Sequence, residues 1–439
     1  MKITVNMLAM GLLFLTAPMG KALLPGFPLG DFVRFFFLLL PLTLLYLLRY
    51  RSAMRLVIWL VLYFLVGLVS IVLNLDSLPA NVSPVRHPVM RLIVHNMIVW
   101  SFVLAAWRCL ELGTDKTWDM VILAFKGYLA VTVLGCVLYF GVTSHVFPRS
   151  FYEQFNVLTQ DGYGLLRFNP GSYPNEFGTM SAFFCTAALA LIIRGNRRMS
   201  LPLLVAIAGL GFMAMALATT RAAYLSFAVS VIFALWSVNA GKTVRYIGIL
   251  TVVVIAVVII LPDDTVSKSL NVLQTGYRSA VAGSASVGVR YTAWGTAYEQ
   301  FSESSLLGLG FEFPTVSGLH NTYLQFFFGL GVLGFSLCIG VFLAVSVLFR
   351  RRFLSKQAQN WIDSDLQTVA VIAAINACMF ALSNHNQNHF LTWFAIFLFF
   401  VTGSLCPRRA VEGVRRRTRT TASPDAGGAP GGPALHPAE

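Results

Sequence analysis

The sequence predicts an all-α membrane protein of about twelve transmembrane helices, with one large outer loop carrying short amphipathic helices. Three observations predict it. Hydrophobic residues make up 57% of the 439 and charged residues only 11%, where soluble domains run near a quarter charged. Apolar stretches long enough to cross a bilayer recur along most of the chain. The basic residues gather in alternate connections between those stretches, as membrane topology signals do. The last observation also disposes of a nucleic-acid partner, which the formal charge of +14 would otherwise invite.

Spans are expected near 4–20, 32–48, 56–74, 90–109, 118–141, 175–193, 199–218, 222–239, 244–261, 320–349, 366–383 and 389–405. The first follows Met1-Lys2 and lacks a clear small-residue cleavage site, so it reads as a retained helix rather than a signal peptide. No soluble repeat is visible. From Pro407 the chain turns basic (Arg408, Arg409, Arg415, Arg416, Arg417, Arg419) and then rich in Pro, Gly and Ala. The expected organisation is therefore a membrane domain over 1–406 and a basic, disordered tail over 407–439.

Alternating spans put Arg49/Arg51/Arg55, Arg108/Lys116, Arg194/Arg197/Arg198, Lys242/Arg245, Arg350/Arg351/Arg352/Lys356 and the tail on one side. The positive-inside rule makes that side, and both termini, cytoplasmic. The longest outer connections are then 142–174 and 262–319. Arg86, Arg91, Arg167, Arg221, Lys268, Arg278 and Arg290 stay on the outer side against the rule. Snorkelling to the headgroups accounts for any one of them. As a set, with Arg221 in a very short turn between two apolar spans, they read as functional.

Within 262–319, Val266, Leu270, Leu273 and Tyr277 fall at helical spacing, as do Tyr291, Trp294, Tyr298 and Phe301. Gly276, Gly283, Gly288 and the segment 284–286 separate the two stripes, and Arg290 is expected to open the second helix. The stripes suit either the membrane face or packing on the bundle. Gly308-Leu309-Gly310 lets the chain turn back, and His320 and Asn321 open the next span from outside.

Several Arg, a His at a span mouth and a covering loop fit glycosyl transfer from a lipid diphosphate. The leaving diphosphate gains negative charge, which guanidinium forks hold bidentately at any relevant pH. The acceptor hydroxyl loses a proton, which a His accepts near neutrality. A metal is the other means of stabilising a diphosphate. The outer side offers Asp263-Asp264 and scattered acids as hard ligands, so Arg is favoured and no metal or other cofactor is expected.

At these residues the chain resembles the O-antigen ligase and surface-polysaccharide polymerase superfamily of bacterial inner membranes. The resemblance is carried by His320-Asn321-Thr322-Tyr323-Leu324 with Gly331 and Gly334, and by Arg290 and Trp294 followed by Leu307-Gly308-Leu309-Gly310. Thr219-Thr220-Arg221 and Arg167 with Asn169-Pro170 and Pro174-Asn175-Glu176-Phe177-Gly178 complete it, over roughly 160–350 in order. Gly329 stands where the family often carries Glu, and Ala222 where it carries Gly. The resemblance implies a multi-pass enzyme with a periplasmic active site and an inverting, metal-independent reaction. The donor would be a glycan on undecaprenyl diphosphate and the acceptor a glycan or lipid A core, with other polysaccharide-assembly proteins as further partners. Carried over by position, Arg221 and Arg290 bind the diphosphate and His320 orients or deprotonates the acceptor. Arg167, Arg278, Asn321 and Tyr323 are expected to contact substrate, with Asn321 also suited to orienting the backbone.

His385 and His389, four apart, suit a metal on a helix, but within Ser383-Asn384-His385-Asn386-Gln387-Asn388-His389 a polar turn is the plainer reading. His87, His95 and His145 have no evident partner, and Asp363 and Asp365 are expected to solvate a cytoplasmic loop. The six Cys are scattered with no CxxC, so neither a zinc site nor a disulfide framework is expected. Two other functions compete: a polysaccharide or lipid-linked sugar transporter, and a non-catalytic scaffold. A transporter needs charge at the midplane, where the spans carry little.

Overall fold

The computed structural model describes residues 5–23, 51–78, 82, 87–148, 158–160, 166–170, 173–236, 285–311, 313, 316, 319–349, 364–383 and 389–403, with six isolated positions between 244 and 255. In chain order these form α1 (Val5–Thr16), α2 (Arg51–Leu73), α3 (Pro88–Leu112), α4 (Thr114–Thr143), β1 (Leu158–Gln160), β2 (Leu166–Phe168), α5 (Pro174–Arg194) and α6 (Leu201–Ala218). They continue with α7 (Arg221–Trp236), α8 (Ala285–Glu303), α9 (Thr322–Phe349), α10 (Ser364–Ser383) and α11 (Phe390–Thr402). Among the described residues seven helices are long and apolar enough to cross a membrane: α2 from Met54, α3, α4, α5, α6, α9 and α10. Three more apolar stretches, 7–20, 221–235 and 390–402, are shorter. The expected span at 32–48, most of that at 244–261, and the tail from 404 lie outside the described residues.

Helix α5 is the axis of the bundle. All its residues from Glu176 to Ile193 are buried, against α6, α7 and α10. Small residues make this close approach possible: a Cβ added at Gly211 of α6 would stand 3.1 Å from that of Cys185. Buried hydroxyls return to the carbonyl one turn back, as Ser101 does to Met97 (2.7 Å), Ser181 to Phe177 (2.8 Å) and Thr186 to Ala182 (2.8 Å). Without water a hydroxyl has few other options. Phe14, Phe102, Phe183, Phe184, Phe390, Phe394 and Phe397 interlock α1, α3, α5 and α11.

One end of the bundle carries the ion pairs found among the described residues. Arg194 Nε meets Asp365 Oδ1 at 2.5 Å, and Asn196 donates to the other Asp365 oxygen at 2.8 Å. Arg198 meets Asp115 at 2.6 Å there, and Arg108–Glu111 and Lys116–Asp119 flank it. Asp365, expected only to solvate a loop, instead ties α10 to the end of α5, because two donors converge on its carboxylate. Asp363 lies outside the described residues.

The opposite end departs from regular helices. β1 and β2 pair antiparallel, Thr159 opposite Arg167, so the connection 142–174 includes a short hairpin that an all-α reading had not anticipated. Helix α8 begins at Ala285, so Gly288 lies within it and Arg290 in its second turn, not at its opening. Ala297 and Phe301 are buried and Tyr298 is 66% exposed, so the packing face runs through Trp294, Ala297 and Phe301. That face packs on Val316, Leu319, Leu324, Phe327 and Phe328 rather than outward. The earlier stripe, Val266 to Tyr277, lies outside the described residues.

Helix α9 is broken at Gly331, whose φ of 69° and ψ of 176° are not helical. In an unbroken helix the Val332 and Leu333 amides would donate to Phe328 and Gly329. Here they donate to Ser305 (2.9 Å) and Leu306 (3.2 Å), while Leu309 and Gly310 donate to Phe328 (2.8 Å) and Gly329 (3.1 Å). Two helical bonds are exchanged for four bonds to an antiparallel segment, 305–310. The Ser70 hydroxyl of α2 closes the junction by donating to the Gly329 carbonyl (2.8 Å) and accepting from the Phe311 amide (3.1 Å). Irregular backbone at membrane depth persists only where its polar groups are satisfied by protein, and this segment satisfies them.

Candidate active site

The end of the bundle opposite the ion pairs gathers the residues of interest. Helix α6 starts beside Arg198 and ends at Ala218, one bundle length away. Tyr323, in the first turn of α9, meets Cys378 near the far end of α10, whose start holds Asp365. The Arg221 turn and the His320 turn therefore open at the same end.

The Arg221 turn is tight because α6 stops on a left-handed residue, Thr219 with φ 50°, and α7 starts two residues later. Thr220 sits at the cap and its carbonyl accepts from the Tyr224 amide at 3.3 Å. Arg221 is exposed, at the first helical position. There the helix leaves amides without intrahelical partners and the dipole favours an anion. The side chains of the turn add no hold of their own: the Thr219 and Thr220 hydroxyls are buried with no hydrogen-bond partner among the described residues. Arg167 of β2 fastens it. Its Nε donates to the Ala218 carbonyl (3.1 Å), and one terminal nitrogen donates to the Thr219 carbonyl (3.3 Å) and to Asn175 Oδ1 (3.2 Å). Arg167, expected in an anion-binding region, thus spends donors on the backbone behind Arg221.

Gly178 of α5 supports the same turn from below. A Cβ there would come 2.5 Å from Thr220 Oγ1, 3.2 Å from Ala223 Cβ and 3.3 Å from Ala218 Cβ. Gly178→Ala is expected to displace the turn, lowering stability by about 1–3 kcal/mol through overpacking and activity by more than that loss of folded protein explains. Thermal unfolding and turnover of one purified preparation check this.

The His320 turn is built differently. His320 is half-buried with φ 49°, a left-handed conformation that costs a non-glycine residue energy and so needs support. Trp294 of α8 supplies it by donating from Nε1 to the Leu319 carbonyl at 2.7 Å. Asn321 is buried, and its Oδ1 accepts from the Leu324 amide (3.1 Å) while its carbonyl accepts from Gln325 (3.0 Å). It caps α9, the backbone-orienting role that its sequence position also suits. Tyr323 is 44% exposed. Position 290 stands one turn before Trp294 on α8. The Arg290 side chain, and Arg278 altogether, lie outside the described residues, as does His385.

Gly329 has its own place in this junction. It is buried, and a Cβ there would meet Phe311, Gly310 and Val316 at 3.4–3.5 Å. A longer acidic side chain would run into the inserted segment. His389 is buried and stacked on Phe380 at 4.3 Å, and its Nδ1 has no hydrogen-bond partner among the described residues. His95, also buried, meets the Tyr63 hydroxyl at 2.7 Å among Phe311, Phe326 and Trp393. Sequence reading missed Ser70 and Tyr63, which carry no signal along the chain. It also missed that Gly308 and Gly331 touch, although both glycines had been singled out.

Residues 203–339 match the family model described as O-antigen ligase. No curated protein matches the chain. The matched segment runs from α6 into α9 and holds Arg221, Arg290, Trp294, Gly308, His320 and Gly331, but not Arg167. That segment is similar to the O-antigen ligase family, whose members are glycan-transferring membrane enzymes, and it lies in a chain with several helices long and apolar enough to cross a membrane.

Proposed function

We propose that the protein transfers an oligo- or polysaccharide from an undecaprenyl-diphosphate-linked donor to a glycan acceptor at the periplasmic face of the bacterial inner membrane. The observation that carries the reading is the placing of Arg221, exposed at a helix N-terminus, at the same end of the bundle as His320. The basic, ion-paired end then faces the cytoplasm by the positive-inside rule. The acceptor hydroxyl attacks the anomeric carbon from the face opposite the diphosphate, which inverts that centre. The bond from anomeric carbon to diphosphate oxygen breaks, and the hydroxyl proton passes to His320. Arg221 and Arg290 hold the departing lipid diphosphate, whose charge grows as the bond breaks. Guanidinium charge takes the part that a metal plays elsewhere.

The test is a deletion strain complemented with the wild-type gene, with surface and lipid-linked glycans separated on one gel. Loss of long chains with single repeats retained, restored on complementation, identifies a polymerase. Long chains accumulating on the carrier lipid identify a ligase that serves lipid A core or another acceptor. Unchanged glycans in the deletion strain would overturn the reading.

A transporter draws support from the broken helix α9, since discontinuous helices often line transport sites. Here the amides and carbonyls freed at the break are bonded to 305–310 and to Ser70, so they do not coordinate a substrate.

A further inference from the structure

We propose that Arg167 is a positioning residue for Arg221: it holds the left-handed turn that aims Arg221 at the donor, and does not bind the donor itself. The inference rests on the proposed role of Arg221 in holding a lipid diphosphate. Three observations carry it. The Arg167 guanidinium is engaged by the last carbonyl of α6, the Thr219 carbonyl and Asn175. Those acceptors belong to the residues that precede Arg221 and to the first turn of α5. The turn's own hydroxyls are buried with no hydrogen-bond partner among the described residues.

The physical logic is local. The C-terminal carbonyls of α6 carry partial negative charge, which a guanidinium satisfies well. A fork is needed because two acceptors lie on consecutive residues and a third on a neighbouring helix. β2 is the platform that brings this about. Phe168 beside Arg167 is fully buried against Tyr139 and Phe177, so the strand is pinned where the side chain reaches the turn. Arg167 also lies outside the segment that matches the family model, so its contribution comes from the hairpin and not from the matched core.

The test uses full-length protein in nanodiscs, with undecaprenyl diphosphate as the binding probe, and a double-mutant cycle of Arg167→Gln with Arg221→Lys. Arg167→Gln is expected to weaken carrier binding about tenfold, the scale of lost charge-assisted hydrogen bonds. Arg167→Lys, which keeps the charge and loses the fork, is expected to weaken it nearly as much. In Arg221→Lys, adding Arg167→Gln is expected to change binding by less than about twofold, since the turn then has no guanidinium left to aim. Losses that multiply in the double variant, or full rescue by Arg167→Lys, would show Arg167 meeting the diphosphate directly and overturn the proposal. Carrier binding untouched by Arg221→Lys would instead remove the diphosphate role of Arg221, and this inference with it. Asn175→Ala removes one acceptor and is the milder variant if Arg167→Gln unfolds. It is expected to shift carrier binding in the same direction at an unchanged unfolding temperature, and wild-type binding in that variant would count against the proposal.

Discussion

Gly331→Ala is expected to abolish accumulation of folded protein in the membrane, and Gly308→Ala to do the same. Gly331 adopts φ 69°, ψ 176°, a region open essentially to glycine alone. A Cβ there would lie 2.4 Å from the Gly308 nitrogen and 2.5 Å from the Leu306 oxygen. One at Gly308, itself at φ 78°, would lie 2.3 Å from the Gly331 nitrogen. These neighbours are backbone on both sides and cannot swing away. Relief requires withdrawing 305–310: α9 could then close its own bonds from Val332 and Leu333 to Phe328 and Gly329, but the Ser305 and Leu306 carbonyls and the Leu309 and Gly310 amides would lose their partners, and the Ser70 bridge between Gly329 and Phe311 would go with them. The loss of these bonds, added to the strain of a non-glycine residue in that backbone conformation, approaches the stability of an ordinary domain. Gly340→Ala is the internal control: it lies in the same helix, meets nothing within 4 Å and is expected to be neutral. Membrane-fraction yield and fluorescence-detected size exclusion of the three variants check this. Wild-type behaviour of Gly331→Ala would show that the break in α9 is not held by the inserted segment.

The same junction shows where sequence reading reaches its limit. Span positions were legible because bilayer thickness imposes length and composition, and α3, α4, α5, α6 and α10 begin and end within a few residues of expectation. The short turn around Arg221 was legible for the same reason, being what remains between two spans. The break in α9 was not, because residues 322–349 stay uniformly apolar through it and a Gly in a membrane helix is ordinary. The break exists only because a segment more than twenty residues away in sequence supplies replacement hydrogen bonds, and no local pattern records that. Arg167 was legible as a misplaced charge but not in its task. A guanidinium facing carbonyls and one facing a phosphate leave the same mark in a sequence. The packing face of α8 was misjudged by one position, since Tyr298 is as amphipathic as its neighbours and only the location of Leu319 and Phe328 decides which side is covered.

Arg221→Ala and His320→Ala are each expected to remove at least about a hundredfold of turnover, with insertion and thermal unfolding unchanged. For Arg221 the scale is that of one preorganised charge at a departing anion, and for His320 that of a positioned general base. Arg221 is exposed and His320 is half-buried, so truncating them removes less packing than a core substitution would. The informative comparison is Trp294→Phe. It keeps the ring among Ala297, Leu319 and Phe328 but deletes the donor to the Leu319 carbonyl, the residue before His320. If His320 works by accepting the acceptor's proton, its placement matters on the ångström scale and Trp294→Phe is expected to lower turnover about ten- to a hundredfold. On the proposed assignment the donor KM is expected to stay near wild type, because the substitution leaves the backbone that carries Arg221 and Arg290 in place. If His320 is only a polar cap on α9, Trp294→Phe costs a little stability and no turnover, and His320→Ala restores long chains on the gel. The catalytic assignment would then have to leave the mouth of α9, and the buried His389 beside Phe380 would be the next imidazole at that end of the bundle to examine.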